Sequence, residues 1–252
     1  MSSDPGLATN PATLQTIALS KHYGSGETAV RALDGVDLTL APGEFVAVMG
    51  PSGCGKSTLL NLIGGLDTPT SGSVRLDGQD LNDLGDDKVT ELRRRRIGFV
   101  FQFFNLIPVL SAVENAALPL TLDGVRDAEA RATVWLQRVG LGDRVRNRPD
   151  ELSGGQQQRV AVARALSTEP ALVLADEPTG NLDSRSGAEI AALLQQVAGE
   201  WGRSVLMVTH DPRIASYAGR LVLMRDGKII GDTGLDGTRE AARRAMEEAD
   251  LL

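Results

Sequence analysis

The pattern of apolar and polar positions predicts a chain in which short buried strands alternate with helices. Apolar runs occur at residues 45–49, 97–101, 171–175 and 205–208, and the stretches 56–66 and 186–201 carry apolar residues at helical spacing. Short runs that are apolar throughout are typical of strands covered on both faces. The alternation therefore predicts an α/β fold around a mainly parallel sheet.

Three other regions follow different patterns. Residues 14–20, 36–40 and 74–78 have strand-like composition and are separated by turn residues. Residues 103–168 contain helical stretches at 127–141 and 152–166 with few strand signals, which predicts a helical insertion. Near the end, residues 221–230 predict a hairpin with a tight turn at Asp226-Gly227, and residues 238–252 predict a terminal helix.

The composition limits the classes of protein. The chain has 252 residues, of which 42% are hydrophobic, so it can bury a sizeable core. Its net charge of −7 argues against nucleic acid as a partner, and its one cysteine, Cys54, allows no intrachain disulfide. No apolar run approaches the about 18 residues of a membrane span, and residues 1–12 read as a disordered tail rather than a signal peptide. If the protein works at a membrane, we expect another chain to supply the spans.

A glycine-rich turn follows the first long apolar run. Residues 50–58 read GPSGCGKST and fit the pattern G-x-x-x-x-G-K-[ST] between a predicted strand and a predicted helix. The glycines allow backbone N–H groups to form a concave anion site at the positive end of the helix dipole. Lys56 can reach the β- and γ-phosphates of a nucleotide, and the Ser57 hydroxyl can bind Mg²⁺. The predicted phosphate-binding residues are Gly50, Pro51, Ser52, Gly53, Cys54, Gly55, Lys56, Ser57 and Thr58.

Two carboxylates end the apolar run at 171–175. Asp176 and Glu177 lie where α/β sheets place ligands, at the carboxyl end of a strand. Asp176 suits Mg²⁺, and Glu177 suits general-base or water-orienting chemistry at a γ-phosphate. The pair could instead only end the strand and cap the next turn, but the upstream phosphate-binding turn favours the functional interpretation.

A second glycine-containing turn opens the predicted helix at 152–166. It reads Leu152-Ser153-Gly154-Gly155-Gln156 and lies about 100 residues beyond Lys56. Serine at a helix start is a good N-cap, and the glycines again expose backbone N–H groups. Two anion-ready turns in one chain suggest that two chains share each nucleotide.

The motif LSGGQ is the signature of the ABC transporter superfamily. From about Thr13 to about Asp232 the chain resembles the ATP-binding subunit of these transporters, because further family motifs lie in the family's order. They are the adenine-stacking aromatic residue, the Q-loop glutamine, the D-loop aspartate and the switch histidine, matched by Tyr23, Gln102, Asp183 and His210.

The resemblance implies an organisation for the whole chain. We expect a P-loop NTPase fold of the ABC ATPase type, with an N-terminal antiparallel β-subdomain beside the core sheet. The ATPase domain is expected over residues 13–232, with the helical subdomain inserted at about 103–168 and a C-terminal helix within 233–252.

The resemblance also implies a mechanism that uses ATP and Mg²⁺. Two subunits, expected to be identical, bury two ATP molecules head to tail, each held by the P-loop of one subunit and the signature turn of the other. Catalytic roles are implied for Lys56, Gln102, Glu177, Asp183 and His210, and Mg²⁺ contacts for Ser57, Gln102 and Asp176. Tyr23 and the signature residues Ser153, Gly154, Gly155 and Gln156 complete the implied nucleotide contacts.

Segments 177–184 and 98–120 resemble the macrolide-exporter and lipoprotein-release branch of the family, to which the cell-division member is also similar. In that branch the permease has few membrane spans and a large external domain. The resemblance therefore implies a separate transmembrane permease, a peripheral position at the cytoplasmic face of the membrane, and no nucleic acid partner.

Two other functions use the same ATPase site. One is an ATPase that regulates an extracytoplasmic enzyme through a transmembrane partner without transport, which motifs cannot separate from a transporter. The other is a soluble DNA-repair or chromosome ATPase, which would carry a long coiled-coil or zinc insertion between Lys56 and Asp176. That interval shows neither heptads nor cysteine clusters, which disfavours this function.

Two features have more than one interpretation. The run Arg93–Arg96 could contact a lipid surface, but a solvated helix end is the simpler expectation, because cations suit a helix C-terminus. Cys54 lies at a helix N-terminus, where thiols tend to be reactive, so we expect thiol-blocking reagents to inhibit ATP hydrolysis.

Overall fold

The computed structural model describes residues 12–24 and 29–248. Residues 1–11 of the predicted tail and residues 249–252 of the predicted terminal helix lie outside the described residues. No helix in the described part of the chain is long and apolar enough to cross a membrane.

The central sheet has six strands in the order β10-β9-β3-β8-β7-β6. Their bounds are β3 (Phe45–Met49), β6 (Ile97–Phe101), β7 (Leu172–Asp176), β8 (Ser204–Val208), β9 (Arg220–Arg225) and β10 (Lys228–Gly234). All neighbouring pairs are parallel except β9 and β10, which form the predicted hairpin. Alternate residues of β3 enter two different buried apolar clusters, one on each face. The predicted mainly parallel sheet with two covered faces is therefore confirmed.

A second, antiparallel sheet packs beside the first. Its order is β2-β1-β4-β5, with bounds β1 (Leu14–Tyr23), β2 (Val30–Leu40), β4 (Ser71–Leu76) and β5 (Gln79–Asp80). Its apolar face contributes Leu14, Leu33 and Val74 to the cluster that also holds Val46 and Val48 of β3. This shared cluster fixes the small sheet against one face of the large one.

Eight helices are described, besides single turns of 3-10 helix at Leu81–Asp83 and Pro149–Glu151. Their bounds are α1 (Lys56–Ile63), α2 (Asp86–Arg96), α3 (Ala112–Leu122), α4 (Ala128–Arg138), α5 (Gly154–Leu166), α6 (Ser184–Gly199), α7 (Pro212–Ala215) and α8 (Arg239–Glu248). Residues 103–168, called the helical segment below, contain α3, α4 and α5 and no strand. Helix α8 buries Ala242 and Met246 in the main core, beside α7.

The arginines of α2 are not a simple solvated helix end. Arg94 and Arg95 both form ion pairs with Asp123, which ends α3, at N–O distances of 2.7 and 3.1 Å. Arg96 pairs with Asp77, and Arg93 donates to the carbonyl of Gly65 at 2.7 Å. These partners lie far away in the chain, so no local pattern indicated them. The run therefore links α2 to the helical segment and to the small sheet.

A fully buried asparagine organises the start of the helical segment. The Asn115 side chain accepts from the N–H of Ile107 at 2.7 Å and donates to the carbonyls of Ile107, Leu110 and Ser111 at 3.0–3.1 Å. The backbone N–H and C=O groups of a loop have no helix or sheet hydrogen bonds, so a buried side chain must supply their partners. Asn115 therefore holds residues 107–111 in one conformation.

We predict that Asn115→Leu lowers the free energy of unfolding by about 3 kcal/mol, because four hydrogen bonds are lost and buried backbone groups stay unpaired. Urea unfolding followed by circular dichroism measures this. The matched control is Asn61→Leu, an exposed asparagine of α1, which should change the stability by less than about 0.5 kcal/mol. Equal effects of the two variants would contradict the role given to Asn115.

Candidate functional site

The site is built at one edge of the central sheet. Strands β3, β8 and β7 are parallel neighbours, so their carboxyl ends, at Met49, Val208 and Asp176, lie side by side. The backbone carries the alignment past the strands, since Thr209 N–H donates to Val48 at 3.2 Å and Glu177 N–H donates to Val208 at 3.0 Å. The residues that follow each strand therefore converge, as the sequence motifs require.

The phosphate-binding turn is locked by backbone packing. Gly53 and Gly55 have positive φ values of 81° and 104°, and a Cβ at Gly55 would collide with the carbonyl of Ala32 in β2. The β9–β10 turn holds the loop from the other side, because Gly227 N–H donates to the Cys54 carbonyl at 3.1 Å. Both sheets thus hold the turn.

Lys56 and Ser57 begin α1 and point to different parts of the site. The buried Lys56 ammonium donates to the carbonyls of Gly50 and Pro51, both at 2.8 Å, so its charge lies within the curve of the loop. The Ser57 hydroxyl donates to Asp176 Oδ1 at 3.3 Å. One side of the turn is therefore cationic, and the other presents a hydroxyl and a carboxylate.

The Asp176 side chain has the properties of a cation ligand. Burial and the neighbouring charge of Glu177 raise its pKa, and the hydrogen bond from Ser57 and the charge of Lys56 only partly oppose this. Ionised oxygen ligands that repel each other are stabilised by a divalent cation, and Mg²⁺ needs only one or two protein ligands beside phosphates and water. Ser57 and Asp176 fit such a site, and the described residues contain no cluster of three or more His, Cys, Asp or Glu side chains that could bind a metal alone.

Glu177 and His210 face each other across the strand ends. Glu177 Oε2 lies 2.9 Å from His210 Nδ1. Glu177 has a positive φ of 47°, an uncommon conformation for a residue with a side chain, and Gly180 N–H donates to its carbonyl at 3.0 Å. The imidazole is mostly exposed, at 74%, whereas the carboxylate is only 20% exposed. Together the two side chains can hold a water molecule beside the Glu177 carboxylate or a phosphate oxygen beside the His210 ring.

Gln102 follows β6 and is fixed by a residue that the sequence analysis assigned no site role. Its Nε2 donates to Asn181 Oδ1 at 3.3 Å, and Asn181 Nδ2 donates to the Gln102 carbonyl at 3.1 Å. This reciprocal pair joins the Q-loop to the segment after Glu177. The predicted Mg²⁺ contact of Gln102 stays a prediction.

The signature turn lies elsewhere on the chain. The side chains of Ser153 and Gln156 form a reciprocal capping box at the start of α5, with N–O distances of 3.3 and 2.9 Å. A Cβ at Gly154 would be 3.3 Å from Leu182, and one at Gly155 would be 3.2 Å from Ser186. The turn therefore packs against the segment around Asp183, and Ser153 stays exposed. In this arrangement Gln156 serves the helix cap, and its predicted nucleotide contact stays a prediction.

Asp183 caps α6 next to the signature turn. Its Oδ1 accepts from the N–H groups of Arg185 and Ser186 at 3.0 Å, and its Oδ2 accepts from the Ser186 hydroxyl at 2.7 Å. Hydrogen bonds from Ser186 are the main reason that the pKa of Asp183 is lowered. The carboxylate is thus ionised and fixed on an exposed surface beside Gly155.

Tyr23 ends β1 and is 42% exposed. Its hydroxyl donates to Asp67 Oδ2 at 2.8 Å, and the Lys21 ammonium lies 5.0 Å from the ring centroid. The ring is therefore held from its edge by an ion-paired cluster, which leaves aromatic surface available. Stacking on adenine stays a prediction.

Sequence reasoning missed several residues that support the site. Gln158 and Arg164 on α5 and Asn181 after β7 hold the loops around Gln102 and Glu177. A signal existed for Gln158, a polar residue at helical spacing from Ala161, Val162 and Ala165 on an otherwise apolar face. Its partners are backbone carbonyls, which no side-chain pattern reveals.

Comparisons with known proteins agree with the geometry. A family model described as ABC transporter matches residues 33–180. The chain is 50% identical over 221 residues to the lipoprotein-releasing system ATP-binding protein LolD of Geobacter metallireducens, covering 87% of this chain and 98% of that protein. It is also 50% identical to the macrolide export ATP-binding/permease protein MacB of Syntrophobacter fumaroxidans over 90% of this chain, but spans only 32% of that relative's length.

The fold is similar to that of a solved structure, a dimeric post-hydrolysis state of the ATP-binding cassette MJ0796 bound to ADP and Pi. The TM-score is 0.80 at 44% identity, with 89% of this chain and 100% of that chain covered.

We predict that Asp176→Asn has opposite effects on stability and on ATP hydrolysis. The raised pKa means that the folded protein binds this proton more tightly than the unfolded chain, so ionisation destabilises the fold as the pH rises toward neutral. The asparagine should raise the unfolding temperature near neutral pH without nucleotide and lower the hydrolysis rate by about 10²-fold or more.

Asp236→Asn is the matched control, because a hydrogen bond from Thr238 lowers the pKa of this exposed carboxyl. Its ionised form stabilises the fold near neutral pH, so the control should lower the unfolding temperature slightly and leave hydrolysis unchanged. An unfolding temperature for Asp176→Asn below that of the unmodified protein would show that burial of the charge is not what dominates at this position.

We predict that a thiol-blocking reagent reacts slowly with Cys54 and inhibits hydrolysis, and that ATP with Mg²⁺ protects the protein. The thiol is buried under the phosphate-binding turn, with Sγ 3.8 Å from Lys56 Nζ, so a bulky adduct must displace the loop. Mass spectrometry and an ATPase assay on the same sample measure this. Cys54→Ala has no other thiol and should be insensitive to the reagent. Full activity after complete labelling would contradict the prediction.

Proposed function

Because the chain belongs to the ABC transporter family and is an ATPase of that family, we propose that two identical copies close head to tail around two ATP molecules and thereby drive a separate membrane permease. One observation carries this proposal. The chain holds a phosphate-binding turn at the sheet edge and a second anion-ready turn at the start of α5. The hydrogen bonds and nearest neighbours of this second turn are with residues other than 50–58, so the two turns do not meet within one copy. A second copy completes each half.

The first half binds and orients the triphosphate. Backbone N–H groups of residues 50–58 and the dipole of α1 hold the β- and γ-phosphates, and Lys56 exchanges its carbonyl partners for phosphate oxygens. Ser57 and Asp176 would hold Mg²⁺, which supplies charge neutralisation between the phosphates when bound. Tyr23 offers its ring to the adenine. These contacts position the γ-phosphate before any bond is broken.

The hydrolytic step depends on Glu177 and His210. Glu177 accepts a hydrogen bond from the attacking water and orients it in line with the bond to be broken. His210, 2.9 Å from Glu177, donates to the γ-phosphate and keeps the carboxylate aimed at the water. Gln102 reports the occupied site to the helical segment. Asp183 and the turn at Ser153 act on the partner's nucleotide, because both are exposed at the starts of α6 and α5.

A groove beside Gln102 is the surface that we propose for the permease. It is lined mainly by apolar side chains between α2, β6 and α3, with Arg93, Arg94 and Arg164 at its rim, and contains Leu66, Phe99, Leu118 and Leu122. Phe103 and Val109, in the loop between β6 and α3, are 69% and 72% exposed. Large apolar residues exposed together mark an interaction surface. A short amphipathic helix with an acidic end fits this groove.

We infer a permease with few spans and a large external domain, and a peripheral position at the cytoplasmic face of the membrane, where ATP is available. The relatives named for lipoprotein release and for macrolide export support this assignment and favour transport over regulation of an extracytoplasmic enzyme. The identity of the partner protein decides between lipoprotein release and macrolide export. The division into an ATPase domain at 13–232, an inserted helical subdomain at 103–168 and a C-terminal helix at 233–252 belongs to the same proposal.

We predict that Glu177→Gln forms a dimer when ATP and Mg²⁺ are added. The amide keeps the shape of the side chain but cannot act as a base, so ATP stays bound and continues to join the two copies. Sedimentation velocity should show a species of twice the monomer mass with ATP and only the monomer with ADP.

The shared site is tested by a second substitution in the same background. Ser153→Arg places a bulky side chain where the partner's γ-phosphate is expected and should abolish the dimer. Ser71→Arg, at an exposed serine of β4, is the control and should leave it intact. ATP binding to Glu177→Gln without dimerisation, even when the permease is co-expressed, would count against the mechanism.

A further inference from the structure

A glutamine on α5 is buried where the helix would otherwise be apolar. Gln158 has no exposed surface and lies on the same face as Val162 and Ala165, which are also buried. A buried amide must be hydrogen-bonded to be tolerated.

The Gln158 amide joins two loops of the site. Its Nε2 donates to the Phe101 carbonyl at 3.1 Å and to the Pro178 carbonyl at 2.6 Å. Because both partners are acceptors, the amide has only one orientation that satisfies them. Phe101 directly precedes Gln102, and Pro178 directly follows Glu177. One side chain therefore fixes the backbone next to both residues.

The remaining polar atom of the amide, Oε1, takes no part in these two contacts. Oε1 of Gln158 is buried and has no hydrogen-bond partner among the residues that the structure describes. Leaving a buried acceptor unpaired costs about 1–3 kcal/mol. An apolar residue of similar size would avoid this penalty but would leave the carbonyls of Phe101 and Pro178 without their donor.

The loops that Gln158 holds are backbone-strained. Glu177 has φ of 47°, and beyond Gln102 the residues Phe104 and Asn105 have φ of 30° and 51°. Such conformations persist only when the surroundings enforce them. Arg164, two turns along α5 from Gln158, donates to the carbonyls of Phe104 and Asn105 at 2.8 and 2.5 Å. Helix α5, which begins at the signature turn, therefore holds both loops.

We propose that Gln158 is a positioning residue for ATP hydrolysis, which links the signature helix to the aim of Glu177 and to the Q-loop. This rests on the proposed function. When the partner's nucleotide engages Ser153, the movement of α5 reaches Pro178 and Phe101 through this one amide. Gln158 touches neither ATP nor the attacking water, so its removal should change the rate of the chemical step and not the binding of ATP.

The test measures kcat and the KM for ATP of the full chain with Gln158→Leu and Gln158→Glu, at several pH values. Leucine removes both donors and should lower kcat by about 10-fold to 10²-fold at unchanged KM. Glutamic acid can donate one hydrogen bond only when protonated. Its kcat relative to the unmodified protein should therefore rise as the pH falls, whereas the ratio for leucine should stay flat.

Asn115→Leu is the matched control, because Asn115 is equally buried and its amide also donates to backbone carbonyls, at 107, 110 and 111. It should lower the stability and leave kcat of the folded protein unchanged. An unchanged kcat for Gln158→Leu, a rise of KM alone, or a pH-independent ratio for Gln158→Glu would overturn the proposal. Dimerisation of Glu177→Gln with ATP is measured in a separate experiment. Failure of the proposed dimer mechanism can therefore be distinguished from failure of the positioning role of Gln158.

Discussion

The parallel pairing of β3, β8 and β7 is the constraint on which the site depends. A parallel ladder places the carboxyl ends of neighbouring strands at one edge, so three segments distant in sequence are brought together without any side-chain contact. The loop after β3 brings donors for phosphate, the loop after β7 brings two carboxylates, and the loop after β8 brings an imidazole. A change in the register of β8 would separate Glu177 from His210, whereas most surface substitutions would leave the site intact.

Positive and negative charges lie on opposite sides of the site at this sheet edge. In the proposed mechanism, Lys56 and the start of α1 attract the negative phosphates on one side, while Asp176 and Glu177 repel each other on the other. The raised pKa of Asp176 reflects burial, together with this repulsion. In the proposed mechanism, a cation bound together with a triphosphate would relieve this repulsion. Ionised Asp176 therefore weakens the unliganded fold, although the proposed reaction uses its charge.

The sequence predicted the strands of the central sheet and the phosphate-binding turn because both depend on local patterns: runs of apolar residues and glycines at fixed offsets. It failed where partners are distant or are backbone atoms. The arginines of α2 suggested a solvated helix end, but Arg95 meets Asp123 on α3, a pairing that required the folded arrangement. Asn181 received no role from the sequence, because its reciprocal pairing with Gln102 depends on how two loops lie in the fold.

Helix α5 resolves an apparent conflict between rigidity and communication. A site that orients water must be rigid, yet a shared site must respond to its second copy. Here the capping box at Ser153 gives α5 a fixed start, and Gln158 and Arg164 attach it to the loops beside Glu177 and Gln102. Because a helix moves as a unit, contact at its first turn displaces both attachments together. In the proposed dimer, the strained loops can therefore be rigid in each state and still change when the partner's nucleotide engages the helix.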